Sequence, residues 1–205
     1  MEITRKQHWE TIYSTKKLEE VSWYQPKPEF SLDLLNEYGG KPTDAIIDIG
    51  GGDSFLVDFL VKERYEALSV LDISENALKR AQNRLETAAD KVDWIVSDIT
   101  EFKPKKQYDF WHDRAVFHFL TQPEDIKLYV EKAANGIKSG GVLIVGTFSE
   151  NGPLKCSGIE IKQYNESTMK AVFENDFEQL ECREHVHTTP AQKQQQFIFS
   201  VFRRK

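Results

Sequence analysis

The sequence predicts an α/β protein: a doubly wound, mainly parallel seven-stranded sheet with an antiparallel C-terminal strand and an N-terminal helical cover. Three observations lead to this prediction. After about residue 40, short apolar runs alternate with segments of helical periodicity, which is the pattern of βαβ units. The chain ends in two apolar runs joined by a Pro- and Gln-bearing loop, which is typical of an antiparallel edge. The first forty residues are separate from this alternation.

Each predicted element follows from its own local pattern. The apolar runs predict strands at 44–49, 67–71, 92–96, 108–112 and 141–147, and two further strands within 177–190 and 194–204. Apolar residues at helical spacing predict helices over 53–63, 75–86, 122–135 and about 166–174. Ser74 is placed to cap the second helix, while Pro123 and Gly136 bracket the third.

The first forty residues are helical in pattern and aromatic in composition. Their rings belong to Trp9, Tyr13, Trp23, Tyr24 and Phe30. This segment is expected either to pack as a simple cover or to form a lid over a ligand crevice. At 205 residues the chain is expected to be one domain, 1–205, with the cover at 1–40 and the core at 41–205.

Composition and charge restrict the function classes. The hydrophobic fraction of 40% and the charged fraction of 29% are typical of a soluble globular protein. A net charge of −6 argues against a nucleic-acid partner or an acidic membrane, because binding phosphate needs a basic face. Cys156 and Cys182 are far apart, which argues against a disulfide framework and a structural zinc site. With no apolar run in residues 1–17, we expect a cytoplasmic protein with no membrane partner.

Three consecutive glycines follow the first predicted strand, in the stretch AIIDIGGGDS at 45–54. In doubly wound sheets the ligand crevice lies outside the carboxyl ends of the strands. Gly50, Gly51 and Gly52 lie at such an end and directly before a helix, where free N–H groups suit a nucleotide-like ligand. Asp72 follows the second strand, 20 residues past Gly52, where a carboxylate can accept both hydroxyls of a ribose. Asp98 follows the third strand in the same way.

The glycines and acids also admit other interpretations. A nicotinamide dinucleotide site needs a third glycine at position 55, and this position is Phe55. A P-loop is excluded because no Gly-Lys-Ser/Thr follows. Alternatively, Asp72 and Asp98 are ordinary caps at helix N-termini, although three acids at one sheet edge are harder to explain in this way.

Asp48-x-Gly50-x-Gly52-x-Ser54, with Asp72 and then Asp98, resembles the class I S-adenosylmethionine-dependent methyltransferases from about residue 40 to the C-terminus. The resemblance implies a Rossmann-like methyltransferase fold that binds S-adenosylmethionine and releases S-adenosylhomocysteine. The glycine loop would pass under the methionine and ribose, and Asp48 would orient it. Asp72 with Ile73 would take the ribose, and Asp98 with Ile99 the adenine. Trp23 and Tyr24 are expected to cover the cofactor or to pack in the core.

The segment YDFWHDRAVFHFL at 108–120 occupies the place that faces the transferred methyl group in this superfamily. Asp113-Arg114-Ala115 and the N-terminal segment partly resemble protein-lysine methyltransferases. Segments 155–164 and 187–197 resemble small bacterial methyltransferases of unassigned substrate. Asp113 and His118 are candidate proton acceptors, and Arg114 is expected to pair with the cofactor carboxylate or an acidic substrate. Alternatively, Asp113 and Arg114 pair with each other and His118 is simply packed.

The sequence therefore predicts an enzyme that methylates a small molecule. Two alternatives remain: a protein lysine or N-terminal amine methyltransferase, and a catalytically idle cofactor-binding module that regulates a partner. His185 and His187 share one face of a strand, but no third ligand is evident, so no metal is expected. Cys156 is expected to be a small buried hydrophobe rather than a reactive thiol.

Overall fold

The computed structural model describes residues 4–205 and is built around one seven-stranded sheet. Met1–Ile3, part of the expected cover, lie outside the described residues. The strands are β1 (Ala45–Ile49), β2 (Ala67–Asp72), β3 (Val92–Val96), β4 (Tyr108–Arg114), β5 (Ile137–Phe148), β6 (Lys155–Cys156), β7 (Ile159–Glu160), β8 (Phe177–Thr188) and β9 (Gln194–Arg204). The α-helices are α1 (Arg5–Thr15), α2 (Glu29–Glu37), α3 (Leu56–Lys62), α4 (Glu75–Leu85), α5 (Pro123–Gly136) and α6 (Glu166–Phe173).

The topology confirms the predicted doubly wound sheet. The strand order is β3-β2-β1-β4-β5-β9-β8, with β6 and β7 forming a separate small hairpin. Strands β1 to β5 are parallel, and β9 runs antiparallel to both β5 and β8. Since β1 pairs with β2 on one side and with β4 on the other, the order reverses between β1 and β4. Ligand crevices of such sheets open at that point.

The sheet is covered on both faces, because buried side chains alternate between its two sides along each strand. Ile47 and Ile49 of β1 belong to a core cluster shared with α5 and α6. Ile46 belongs to a second cluster, shared with α2, α3 and α4. These three isoleucines are at most 1% exposed, so both clusters hold β1 rigidly and fix the loop that follows it. No helix among residues 4–205 is long and apolar enough to cross a membrane.

Three boundaries differ from the sequence prediction by two residues or more. Strand β5 begins four residues earlier than expected, and β4 continues through Arg114 rather than ending at residue 112. Helix α3 begins at Leu56 rather than at residue 53, because Arg84 of α4 holds the preceding loop open. The Arg84 guanidinium donates to the carbonyl oxygens of Asp53 (3.1 Å) and Ser54 (2.8 Å). The β6–β7 hairpin was not predicted.

The N-terminal cover is helical, as predicted, and is anchored to the core through α4. The Glu10 carboxylate of α1 accepts hydrogen bonds from the backbone N–H of Glu75 (2.7 Å) and Asn76 (3.3 Å) and from the Ser74 hydroxyl (3.0 Å). A carboxylate favours a helix N-terminus, where the N–H groups are free and the dipole is positive. Helix α1 therefore lies directly beside the end of β2, where Asp72 is found.

Candidate active site

A large cavity opens at the carboxyl ends of the parallel strands, under the N-terminal cover. Its empty volume is about 1230 Å³ with the open mouth included, large enough for a ligand of nucleotide size. Most of the site residues predicted from the sequence line this cavity: Trp23, Tyr24, Asp48, Gly50, Gly51, Asp72, Ile73, Asp98, Ile99 and Arg114. Gly52, Asp113 and His118 are outside this lining. Most of the predicted site residues therefore line one cavity, and these three lie outside its lining.

The glycine loop is a position where side chains do not fit. Gly50 has a φ of +64°, and a Cβ there would come within 1.9 Å of Val116 Cγ2. The Gly50 N–H donates to the Leu71 carbonyl oxygen at 2.6 Å, which ties the loop to the end of β2. Gly52 has a φ of +45°, and its Cβ would lie 2.9 Å from Asp72 Oδ2. Glycine is the residue that accepts this backbone conformation without strain.

Asp72 is a buried carboxylate that faces the cavity. Its Oδ1 accepts the Ser74 N–H at 2.8 Å, and Oδ2 accepts no hydrogen bond from residues 4–205. Burial raises the pKa of Asp72 to about 7, and the neighbouring acids Asp53 and Asp48 act in the same direction. Because Asp72 lines the cavity, its unpaired oxygen fits a ligand that presents hydroxyl groups, such as a ribose.

Asp98 lies at the end of β3 and is held in place from two sides. Its Oδ1 accepts from the backbone N–H of Thr100 (2.9 Å) and from the Thr100 hydroxyl (2.8 Å). Its Oδ2 lies 3.6 Å from Nη1 of Arg5, which also forms an ion pair with Asp125 of α5. The first turn of the cover therefore reaches the carboxylate expected to meet an adenine.

The comparisons with known proteins agree with this geometry. Residues 47–143 match a family model described as "Methyltransferase domain". This segment contains the glycine loop, Asp72 and Asp98. The matched segment, just under half of the chain, is therefore similar to methyltransferase domains.

Solved structures of similar fold cover almost the whole chain. It aligns with an S-adenosylmethionine-dependent methyltransferase from Anabaena variabilis at a TM-score of 0.75 and 16% identity, covering 100% of this chain and 96% of the other. It also aligns with the N-methyltransferase NodS from Bradyrhizobium japonicum, in complex with S-adenosylhomocysteine, at a TM-score of 0.70 and 13% identity, covering 95% and 97%. At these identities the likeness concerns the fold.

Curated relatives are similar over a shorter range. Malonyl-(acyl-carrier protein) O-methyltransferase 2 of Ilyobacter polytropus is 25% identical over 107 residues, which are 52% of this chain and 40% of that protein. Carboxy-S-adenosyl-L-methionine synthase of Nautilia profundicola is 26% identical over 130 residues, 61% of this chain and 53% of that protein. The chain thus spans about half the length of these relatives or less.

Three buried side chains form a hydrogen-bonded chain that was not predicted from the sequence. His112 Nδ1 lies 2.7 Å from Asp48 Oδ1, and His112 Nε2 lies 2.9 Å from the Ser31 hydroxyl. All three residues line the cavity. Asp48 and His112 are opposite each other on β1 and β4. A histidine at the carboxyl end of a buried strand was a usable sequence signal, whereas Ser31 on α2 gave none.

The same network defines what this part of the cavity can do chemically. Asp48 accepts the Nδ1 proton, so in the neutral ring Nε2 accepts the Ser31 proton. Ser31 can then take a proton from a group in the cavity while passing its own to His112. This is the connectivity of a proton relay.

Asp113 and His118 lie beneath the cavity rather than in it. The Asp113 carboxylate accepts from Val116 N (2.9 Å), Phe117 N (3.3 Å) and the Tyr129 hydroxyl (2.8 Å), so it braces the turn after β4. Burial raises its pKa to about 6. It forms no ion pair with Arg114. Because Asp113 does not reach the cavity, proton transfer to it from a bound acceptor has no geometric support.

His118 is a packed neutral side chain. It is 0% exposed, and its ring centre lies 4.7 Å from that of Phe148. Burial, together with the charge of Arg114, lowers the pKa of His118 to about 3. A base with so low a pKa is a poor proton acceptor near neutral pH. The alternative of a simply packed histidine fits this geometry.

The remaining histidines and the cavity cysteine have structural surroundings. His187 Nε2 donates to the Ser22 carbonyl oxygen at 2.7 Å, and burial lowers the pKa of His187 to about 4. His185 stacks on Phe30 with ring centres 4.4 Å apart. Among residues 4–205 no cluster of three or more His, Cys, Asp or Glu could hold a metal ion. Cys156 lines the cavity. Burial raises the pKa of its side chain, so the group remains a thiol at neutral pH.

Proposed function

We propose that this methyltransferase binds S-adenosylmethionine and transfers its methyl group to a small-molecule acceptor. The observation that carries the proposal is one cavity that joins two distinct regions. Asp72 and Asp98 stand at the nucleoside end, and a roofed, largely apolar space lies beyond the glycine loop. When bound, the cofactor supplies a methyl group on a positively charged sulfur, which leaves as a neutral thioether.

The residues present suit this cofactor. Asp72 Oδ2 provides the acceptor for ribose hydroxyls, and Asp98 is the acid for the adenine amino group. A Cβ at Gly50 would come within 1.9 Å of Val116 Cγ2 and one at Gly51 within 2.6 Å of Asp48 Oδ2, so the loop beside the cavity is limited to glycine at both positions. Trp23 and Tyr24 supply aromatic surface that favours a cationic sulfonium.

The enclosure of the cavity favours a small acceptor over a protein side chain. Trp9 and Tyr13 of α1 line it from the cover, and Cys156 of the β6–β7 hairpin lines one flank; further lining residues from the cover are Leu18, Trp23, Tyr24 and Gln25. An extended peptide would need an open groove along this edge. The small-molecule reading therefore requires no rearrangement of the cover, whereas the protein lysine alternative does.

We further assign the Asp48–His112–Ser31 chain to proton removal. A lone pair of the acceptor atom forms the new bond to the methyl carbon. The carbon–sulfur bond breaks at the same time, and the electrons of that bond stay on sulfur. Where the acceptor atom carries a proton, Ser31 Oγ accepts that proton and passes its own to His112 Nε2. The developing positive charge on His112 is balanced by Asp48. Alignment of the acceptor and exclusion of water supply the rest of the rate enhancement.

Calorimetry with S-adenosylhomocysteine tests the cofactor site. Wild type and Asp90→Asn, an exposed control, are expected to bind alike. Asp72→Asn is expected to bind roughly 10- to 100-fold more weakly, because an amide replaces the charged acceptor of the ribose hydroxyls. Absence of binding to the wild type would refute the proposed function.

Labelled methyl transfer separates the acceptor classes. Wild type is incubated with methyl-labelled S-adenosylmethionine and a cell extract divided into small-molecule and protein fractions. Label is expected in the small-molecule fraction. Label confined to proteins would support the lysine or N-terminal amine alternative, and binding without any transfer would support the idle module.

The cytoplasmic location stays a prediction; both cysteines are free thiols, as a reducing compartment requires.

A further inference from the structure

Arg114, the last residue of β4, carries a charged group that the protein itself leaves incompletely satisfied. Its Nη1 donates to the Trp23 carbonyl oxygen at 3.1 Å, and its guanidinium carbon lies 5.1 Å from the centre of the Phe197 ring. Nη2 is shielded from solvent and has no hydrogen-bond partner among residues 4–205. The residue lines the cavity. An orphaned donor of this kind calls for an acceptor that the protein does not supply.

The charge of Arg114 also lacks a counter-charge. It forms no ion pair within 4.0 Å with a carboxylate of residues 4–205. The acid that contributes to its field, Asp48, is bound to His112. Burial lowers the pKa of Arg114 to about 10, which still leaves the guanidinium charged near neutral pH. Buried charges in proteins are normally paired, so this cation is arranged for an anion that arrives with a ligand.

The position of Arg114 separates it from the nucleoside end of the cavity. It is paired with Gly146 of β5, and Cys156 lies on the same flank. Asp98 follows β3, three strands away from β4 in the sheet order, which is roughly 14 Å at the usual strand spacing. The glycine loop after β1 lies between them. The anion is therefore expected beyond the point of methyl transfer.

The walls near this cation are aromatic. The ring of Trp9 lies 5.1 Å from that of Phe119 and 5.8 Å from that of Trp23, and all three residues line the cavity. Both ring pairs pack edge to face, so the lining near Arg114 is aromatic and apolar. A suitable acceptor joins a planar apolar body to an anionic group.

We infer that Arg114 binds a carboxylate on the methyl acceptor, which makes the acceptor a small aromatic or apolar acid. This inference rests on the proposed function, because it names the substrate class of the same site. Charge-assisted, two-pronged hydrogen bonding is the mode by which a guanidinium selects a carboxylate.

Calorimetry on the protein saturated with S-adenosylhomocysteine tests the inference. The probes are phenylacetate and indole-3-acetate, each compared with its neutral amide. Wild type is expected to bind the carboxylates at least about tenfold more tightly than the amides. Arg114→Gln is expected to abolish this preference and Arg114→Lys to keep part of it. Arg203→Gln, at an exposed position on β9, is the matched control and should behave as wild type. Circular dichroism establishes that each variant is folded.

The same experiment distinguishes the other sources of a carboxylate. Arg114→Gln could weaken the binding of S-adenosylhomocysteine about tenfold, while an S-adenosylhomocysteine analogue that lacks the carboxylate binds wild type and variant equally. In that case Arg114 holds the cofactor and the inference is wrong. Equal binding of carboxylates and amides by the wild type also overturns it. Failure of S-adenosylhomocysteine to bind refutes the proposed function instead. In that case, titrating the carboxylate and amide probes in the absence of S-adenosylhomocysteine still measures whether Arg114 prefers a carboxylate.

Discussion

Asp72 links the stability of the free protein to pH. Its carboxyl has a pKa of about 7 in the folded protein, because burial penalises the charged form, against about 3.9 in an unfolded chain. Between these values the folded protein holds a proton that the unfolded chain has released. Protonation therefore stabilises the fold at the acidic end, and this contribution is lost as the pH rises through about 7.

The comparison of wild type with Asp72→Asn isolates this effect. The free energy of unfolding of the wild type, relative to the variant, is expected to fall as the pH rises from about 4 to about 7 and to level off above that. Urea unfolding at a series of pH values measures it. Asp113, His118 and His187 titrate in both proteins and cancel in the difference. Parallel profiles for the two proteins would show that Asp72 is not the titrating group.

Ser31 and His112 carry the prediction for the chemical step. Ser31→Ala and His112→Gln are expected to lower kcat by about 100-fold on an acceptor that must lose a proton, because the path to Asp48 is cut. The affinity for S-adenosylhomocysteine should change little. Rapid-quench kinetics across pH separates this loss from a binding defect, and Ser139→Ala, at an exposed position, is the control. Unchanged kcat in both variants would leave the hydrogen-bonded chain a structural role only.

Sequence position predicted the residues whose roles depend on strand ends. Asp48, Asp72 and Asp98 follow or close three parallel strands, so a shared edge brings them together wherever the fold forms. Ser31 and His112 are 81 residues apart, and their hydrogen bond depends on how α2 packs on the sheet. Asp113 resembled a site residue by its place in the chain. Strand alternation turns its side chain to the side opposite His112, and it points into the core instead.

At the scale of elements, one carboxylate of α1 contacts the start of α4. Glu10 satisfies two backbone N–H groups and the Ser74 hydroxyl at the start of α4, as an N-cap side chain would. The acid comes from another helix, so the cap and the docking of the cover depend on the same side chain. The cover should therefore loosen when the cap is removed.

Glu10→Ala is expected to destabilise the protein by about 0.5–2 kcal/mol, the usual cost of a lost helix cap. It should also make cleavage between α1 and α2 faster in limited proteolysis, since the cover loses its anchor. Urea unfolding and timed digestion measure the two effects. Glu19→Ala, at an exposed position in the same segment, is the matched control. Equal digestion of both variants would contradict the anchoring role.

The elements themselves were largely readable from pattern. Periodicities of two and 3.6 located the core strands and helices, because burial on both faces of the sheet demands them. Boundaries set by distant side chains were not readable: the start of α3 depends on Arg84, which lies 30 residues beyond Ser54. The two-residue strands β6 and β7 are too short to leave a periodic signal.

For the molecule as a whole, ligand binding should appear as a gain in thermal stability. At a concentration of S-adenosylhomocysteine about 100 times its Kd, binding to the folded state alone adds about 2.7 kcal/mol. For a chain of this length this corresponds to a rise in Tm of roughly 5–10 °C. Scanning calorimetry measures the shift, and adenine alone serves as the control ligand. An unchanged Tm at saturating ligand would contradict a site within the folded protein.

The roof of the cavity also affects how far similarity to other proteins predicts the substrate. The segment shared with the methyltransferase family, residues 47–143, contains the acids for the nucleoside and also Arg114. Trp9, Trp23 and Ser31 precede it, and Cys156 follows it. Two descendants of one ancestor could thus retain the donor machinery unchanged while their flanking segments diverged to admit different acceptors. Searches for proteins with the same acceptor should therefore compare the flanks rather than the shared segment.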